Sequence, residues 1–396
     1  MRLLFLGYAV SEIEANRLEG ASIAGNRMQL GIINALTDQP DGVVLDAVTV
    51  WPIAPFHQSG TLWVRDVEID LGGSKSAKRV GFLNLPVLKQ LTQILAVMRA
   101  GTRLARAHEY DYVFTFNMFP QVGVPAWLIS RLFRIPVVCL LADPPIDYLP
   151  NRRGLSKVVM HAYFALTTRL LRTCAGAIVL NQCAAERYAP QAAWLLMDGA
   201  VDGDSAPRAI QRVHGGPKRV VFTGGLVEYN GIMELIGAMR LVRSEDVVLD
   251  LYGTGPLAEL ARRAAKTEPN INYHGRVSSD AIPGIQQEAF LLINPRRVDD
   301  PMSEVTFPSK ILEYMLSGTP VLSTRLNGFT EEYEDKMFFM RHGTAEEIAR
   351  AIDDLARRAP DELRDTAAKA RGFVLEERSW AARGSLLRRF LSSGMS

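Results

Sequence analysis

Ser309, Lys310 and Glu313 fall within about one helical turn of each other in the segment from Phe307 to Ser323. Pro308 fits a first helical position, because its missing N–H is one of the donors that a helix start leaves unused. Gly318 fits a left-handed residue just past the helix end, and Pro320 keeps the helix from continuing. Val321 and Leu322 then read as the start of a buried strand. A short helix punctuated in this way turns free N–H groups and the positive end of its dipole toward an anion. Lys310 adds a point charge suited to phosphate, and Glu313 supplies a carboxylate able to accept two hydroxyls of a sugar ring. A phosphate binder and a diol binder one turn apart match the two parts of a nucleotide sugar. A surface Lys–Glu pair three residues apart, worth only about 0.3 kcal/mol, accounts for the same spacing.

Elements must hold these groups in place. At 396 residues the chain exceeds one ordinary core and reads as two domains. Its 48% hydrophobic and 22% charged residues are an ordinary globular composition. Short apolar runs alternate with helix-period segments throughout, the pattern of parallel βαβ units. In the first half the expected strands are Leu3–Leu6, Val43–Val48, Val113–Phe116, Val137–Leu141 and Ala177–Leu180, with helices at Asn26–Leu36, Leu88–Arg106 and Lys157–Leu171. A second series starts after Gly199. Val220–Phe222 leads into Thr223-Gly224-Gly225, Val248–Tyr252 into Gly253-Thr254-Gly255-Pro256, Ile271–His274 into Gly275, and Leu291–Ile293 into Asn294-Pro295. Sheets of this kind bind ligands outside their carboxyl edges, so a ligand between two facing sheets is expected. The domains are expected at 1–197 and 198–375, with a final helix over 376–396 returning to the first.

The net charge of +2 conceals an asymmetry: residues 1–197 carry 19 Lys and Arg against 14 Asp and Glu, and the remainder 26 against 29. The excess lies in two acid-free basic segments, 75–106 and 152–172. On a helix, Arg153, Lys157, His161 and Arg172 share a broad face, with Phe164, Leu166, Leu170 and Leu171 among its apolar partners. Such a face suits an anionic membrane surface or a lipid-phosphate acceptor, and equally a solvated side of a core helix. Few aromatics interleave with the basic residues, which disfavours nucleic acid. No uninterrupted apolar run approaches the ~18 residues of a membrane span. Met1–Tyr8 reads as a first strand rather than a signal peptide. Cys139, Cys174 and Cys183 lack metal-ligand spacing, which points to a reduced cytoplasmic setting, and the six histidines are scattered.

Over most of its length the chain resembles the family-4 glycosyltransferases of the GT-B fold. Val221–Leu226 with Asn230-Gly231 resembles the family's first glycine loop and donor-facing turn, and Leu251–Pro256 its second. Asn272–Val277 resembles the segment whose backbone reads the nucleobase, and Pro308–Ser323 the donor-binding helix. The tail with Trp380 resembles the helix that returns to the first domain. One glycine loop is weak evidence; five segments in order are strong. The resemblance implies an α/β fold of two tandem Rossmann-like domains whose parallel sheets face a central cleft. It implies donor contacts at Gly224, Gly225, Asn230, Gly253, Gly255, Gly275, Arg276, Val277, Ser309, Lys310 and Glu313, the last on the ribose hydroxyls. The chain also departs from the pattern. The first acid of the family's pair falls at Val305, beside Glu304, and the diphosphate-binding Arg and Lys fall at Gly225 and Asn230. Lys310 is the first candidate to replace that charge, with Arg296 and Arg297 in reserve. In the first half, Gly20, Ser22 and Asn26 resemble the small-residue loop on the acceptor side. Asp143, just past a strand end, is the polar group left where many relatives have a histidine; it would contact a donor-sugar hydroxyl, orient the acceptor, or cap a helix.

The activity implied is hexosyl transfer, with retention, from a nucleotide diphosphate sugar to a hydroxyl, in polysaccharide, glycolipid or glycoconjugate synthesis. The acceptor would be lipid-linked or otherwise anionic, and the protein cytoplasmic or peripheral at the inner membrane face. Asp143 and Lys310 are the catalytic candidates. No cofactor or metal is expected, because Asp299-Asp300 is the nearest carboxylate pair and reads as loop. A GT-B-shaped scaffold in a glycan assembly complex, without activity, explains the missing charges as well. An epimerase would need an acid/base set that the sequence does not offer. A hydride-transfer enzyme would need a GxGxxG after the first strand.

Overall fold

Near-continuous apolar runs such as Leu3–Leu6 and Val137–Leu141 need cover on both faces, which a parallel sheet flanked by helices provides. The computed structural model describes all residues outside 19–21, 39–41, 73–74, 87, 147–153, 204–215 and 395–396, and not the side chains of Asn16 and Leu155. Two units result: Met1–Asp198 with Trp380–Ser396, and Gly199–Ser379. The first boundary is one residue beyond the expected one. The helix expected from Glu376 is broken at Arg378-Ser379: Pro360–Glu377 ends one helix in the second unit, and Trp380–Ser392 forms the next in the first. Trp380 docks over Gly31, where any Cβ would lie 2.0 Å from the indole.

The first unit is built on an eight-stranded sheet. Its spatial order is Ala193–Leu196, Gly176–Val179, Val137–Leu141, Tyr112–Phe116, Arg2–Gly7, Val44–Thr49, Lys75–Arg79 and Val67–Gly72. All neighbours are parallel except the last pair. The five expected strands are all present. The Val67–Arg79 hairpin was not expected, because its inner strand, Lys-Ser-Ala-Lys-Arg, lacks an apolar signature, and its edge strand, Val67–Gly72, carries Glu68 and Asp70, charges of the kind that guard a sheet edge.

That hairpin corrects the reading of the first basic segment. Lys75 pairs with Asp38 at 2.6 Å, and Arg79 pairs with Glu14 at 2.7 Å while lying over the Trp51 ring. Lys89 donates to the Ile53 carbonyl, and Arg99 pairs with Asp66 at 2.9 Å. Much of that charge therefore holds the fold together. In the second segment, Arg152 and Arg153 lie outside the described residues. Leu166, expected on the packed side, is exposed, whereas Leu170 and Leu171 are buried. No described helix is long and apolar enough to cross a membrane.

The second unit has six parallel strands: Ile271–Gly275, Val247–Tyr252, Lys218–Thr223, Leu291–Asn294, Val321–Thr324 and Phe338–Met340. In sequence rank this is third, second, first, fourth, fifth, sixth, the doubly wound dinucleotide-binding order. One core cluster of this unit includes Phe222, Leu249, Leu251, Ile293 and Ile348.

Candidate functional site

Doubly wound sheets bind ligands where successive connections leave for opposite sides, at the carboxyl ends of the first and fourth strands. Here that crevice opens between Thr223, which leads into Gly224-Gly225, and Asn294, which leads into Pro295-Arg296. The glycines let loops close on one another there. A Cβ on Gly253 would lie 1.8 Å from the Gly224 carbonyl oxygen, and one on Gly255 would lie 2.5 Å from that of Leu226. Gly253 and Gly255 therefore allow the second glycine loop to pack on the first. Gly225 faces open space, with nothing nearer to a Cβ than Asn230 Nδ2 at 4.0 Å. Asn230 is buried and donates to the Gly225 carbonyl at 2.7 Å, so it braces the loop where the family pattern has a cation.

Lys310 comes down beside Gly224. The helix it begins runs Lys310–Leu316, with Ser309 at its cap. Pro308 thus precedes the helix instead of occupying its first turn, and seven residues make only a weak dipole. The local charge is Lys310's. Its Nζ is fully buried, lies 3.9 Å from the centroid of Phe222, and has no hydrogen-bond partner among the described residues. Tyr314, one turn on and on the same face, fixes this position: its hydroxyl accepts from Thr223 N at 2.9 Å and lies 3.2 Å from the Thr223 carbonyl. Burial lowers the Lys310 pKa to about 7, Arg296 acts in the same direction, and Glu313 opposes both.

Arg296 is the second buried cation. Its guanidinium lies over the Tyr229 ring and donates to Thr306 Oγ1 at 2.7 Å, while its buried Nε has no partner among the described residues. Burial lowers its pKa too. Arg297 is separate: it pairs with Asp299 at 2.8 Å, and Asp300 caps the helix Pro301–Val305, so this carboxylate pair is occupied locally. Val305 is buried in the core, and Glu304 and Glu313 are exposed, as is Ser309. Gly275 ends its strand, and its carbonyl accepts from Gly253 N at 2.7 Å. This sets Arg276, which is exposed, and Val277 at the same carboxyl edge as the glycine loops.

In the first unit, Asp143 follows the strand Val137–Leu141 and does not cap a described helix. Its carboxylate accepts from Asn117 Nδ2 at 3.0 Å, while Asn117 Oδ1 accepts from the Ala142 and Asp143 N–H groups. Asn117 is buried with φ of 55°, a conformation that asparagine tolerates better than most residues. Although Asp143 is open to solvent, desolvation by surrounding protein raises its pKa against the pull of Asn117. Ser22 caps the helix Ile23–Thr37 by accepting from Gly25 N, and Asn26 both accepts from and donates to the Val10 backbone. Both side chains thus have local structural partners. Gly20 lies outside the described residues. Sequence reasoning missed Asn117 and Tyr314. The available signals were an asparagine directly after a strand and an aromatic hydroxyl four residues after a candidate phosphate lysine.

Residues 217–358 match the family model described as glycosyl transferases group 1. No curated protein matches the chain. Among solved structures, HepE of Anabaena in complex with UDP gives a TM-score of 0.66 at 17% identity, over 100% of both chains. Sucrose-phosphate synthase from Thermosynechococcus elongatus gives 0.68 at 16%, also over 100% of both. A glycosyltransferase from Rickettsia africae gives 0.64 at 12%, over 99% of this chain and 98% of that one. These likenesses show the fold, the two-unit α/β architecture of GT-B glycosyltransferases.

Proposed function

We propose that the protein is a glycosyltransferase that takes a hexosyl group from a nucleotide diphosphate sugar and transfers it, with retention, to a hydroxyl acceptor. The observation that carries this reading is the pair of buried cations at the second unit's switch point. Lys310 Nζ and Arg296 Nε lack partners among the described residues, beside a glycine loop that leaves room at Gly225. Two desolvated like charges are costly unless an anion completes them. A pyrophosphate has the charge and the oxygen acceptors to do so, and Glu313 remains exposed for the ribose hydroxyls. The match to glycosyl transferases group 1 and the fold shared with HepE, which was solved with UDP-glucose, support the same donor class.

In this reading the chain supplies electrostatics rather than a nucleophile. Lys310 and Arg296 stabilise the charge that grows on the leaving diphosphate, the term on which such catalysis chiefly depends. The leaving phosphate takes the acceptor's proton along a front-side path. The charge is assigned to side chains, and no metal is invoked. Asp143, held by Asn117, is assigned to the acceptor or to a donor-sugar hydroxyl. The pathway is polysaccharide, glycolipid or glycoconjugate synthesis on the cytoplasmic side.

Thermal-shift measurements and calorimetry with UDP, GDP, dTDP, ADP and their sugars test the assignment, because a ligand bound only by the folded state raises the melting temperature. One nucleotide is expected to stabilise the protein, and Lys310→Ala and Glu313→Ala are expected to remove that effect. If none of the four binds, the enzymatic reading fails and the scaffold reading takes its place.

A further inference from the structure

We propose that one helical face of the first unit docks on an anionic lipid bilayer. The helices Leu88–Ala107, Pro120–Phe133 and Leu155–Leu171 lie side by side, with the middle one packed against both others. None of the three contains an aspartate or glutamate, in a chain with 43 of them. The first helix buries Gln93, Ala96, Val97 and Gly101. Helical geometry then turns Leu88, Leu91 and Leu95 away from that side, with Arg99, Arg103 and Arg106 continuing the outward stripe over the following turns. Those leucines are exposed, Leu91 by 55% and Leu95 by 67%. The third helix repeats the arrangement: Val158 and Val159 are 65% and 56% exposed, and Leu166 and Arg169 follow on the outer side.

Single exposed leucines need no explanation, but contiguous ones on the side opposite the core do. Charge identifies what covers them. Arg103 and Arg106 are exposed and have no ion-pair partner among the described residues, unlike Lys75, Arg79 and Arg99. An apolar stripe continued by these two arginines, on helices that carry no carboxylate of their own and with Asp66 already paired to Arg99, suits a surface that is negative outside and hydrocarbon beneath. The exposed Trp63 adds an interfacial anchor. It pairs with Leu83, whose N–H bonds to Thr92 on the first helix.

The test is co-sedimentation of the full chain with vesicles of phosphatidylcholine containing about 30 mol% phosphatidylglycerol, and with phosphatidylcholine alone. Binding is expected to the anionic vesicles and to fall as salt is raised. Arg103→Glu with Arg106→Glu, and separately Leu91→Ser with Leu95→Ser, should each lower partitioning about tenfold or more while leaving the circular dichroism spectrum and melting temperature unchanged. The proposal is overturned if the wild type ignores anionic vesicles or if both double variants bind as it does. It is equally overturned if the wild type self-associates in solution through this face, with the leucine variant monomeric and vesicle binding absent. The face would then belong to a second copy of the chain.

Discussion

Two buried charge clusters share the second unit's sheet and are finished in opposite ways. The Asp250 carboxylate, with its side chain only 1% exposed, receives Arg219 at 2.6 Å and Asn272 at 3.0 Å and lies 2.9 Å from His274 Nε2. The His274 ring is in turn stacked on Tyr252 with centroids 4.3 Å apart. Burial acts to raise the Asp250 pKa, but the His274, Arg219 and Asn272 bonds outweigh it and the net shift is downward. Lys310 and Arg296 sit at the carboxyl edge of the same sheet with donors left over. A buried charge that the chain has fully partnered is part of the scaffold. One left incomplete next to another of the same sign is what the proposed donor diphosphate would complete.

The sharpest way to break this contrast is to remove one member of each cluster. Asp250→Ala should cost about 3 kcal/mol of stability in urea denaturation, because it strands several donors around a buried position. UDP affinity should fall less than in a Lys310 variant, because Asp250 shares no partner with Lys310, although Asn272 and His274 stand in the stretch that resembles the base-reading segment. The Asp250 contribution should be present above its unfolded pKa and disappear as pH falls through the lower folded value. Lys310→Met should do the reverse. UDP binding should weaken about thirtyfold by calorimetry, from the loss of a charge-assisted contact. The melting temperature should hold or rise, because an unpaired buried charge is gone. A large loss of stability in Lys310→Met would make it a structural lysine and erase the distinction.

The sequence exposed the two clusters unequally, for physical reasons. Strand and glycine-loop positions in the second unit were readable because buried parallel strands are apolar runs and tight loops need glycine. Lys310 was readable because proline and glycine punctuate its helix. Arg296 was readable only as a reserve candidate beside Arg297, and its burial was not readable. A loop arginine looks the same whether it pairs, as Arg297 does with Asp299, or is buried with a spare Nε. Similarly, the sequence made segment 75–106 uniformly basic, but tertiary contacts occupy Lys75 and Arg79 and leave Arg103 and Arg106 open. Charge neutralisation over long sequence separation carries no local signal.

A smaller effect distinguishes the two clusters by pH. Burial is the main reason that the Lys310 pKa is lowered to about 7. A bound diphosphate favours the charged form, so binding takes up a proton and affinity must fall as pH rises through 7. The limit is about tenfold per pH unit. UDP-glucose is the better probe, because a terminal phosphate such as that of UDP ionises near pH 6 and would add an opposite trend. In folding without added nucleotide the same group has the other sign. Its folded pKa lies below its unfolded one, so stability rises with pH from about 7 toward about 10.4. Calorimetry and melting curves at matched pH should therefore move in opposite directions, and Lys310→Met should flatten both. Parallel movement of the two would assign the titration to some other group.

The smallest expected effect joins scaffold to ligand site. Tyr314 belongs to the finished kind of polar group, because its hydroxyl bonds both the N–H and the carbonyl of Thr223. It nevertheless sets where Lys310 stands, one turn earlier on the same helix face. Tyr314→Phe removes the hydroxyl without removing the ring and strands a buried backbone N–H, which should cost about 1 kcal/mol of stability. The helix start should then loosen against the end of the Lys218–Thr223 strand. UDP affinity should fall by about threefold, well short of the Lys310→Met loss, since the ammonium is still present and only less well placed. The combination separates positioning from contact: Lys310→Met changes affinity without lowering stability, and Tyr314→Phe changes both. A Tyr314→Phe variant that loses stability but binds UDP as the wild type does would show that Phe222 and the glycine loop alone place the lysine.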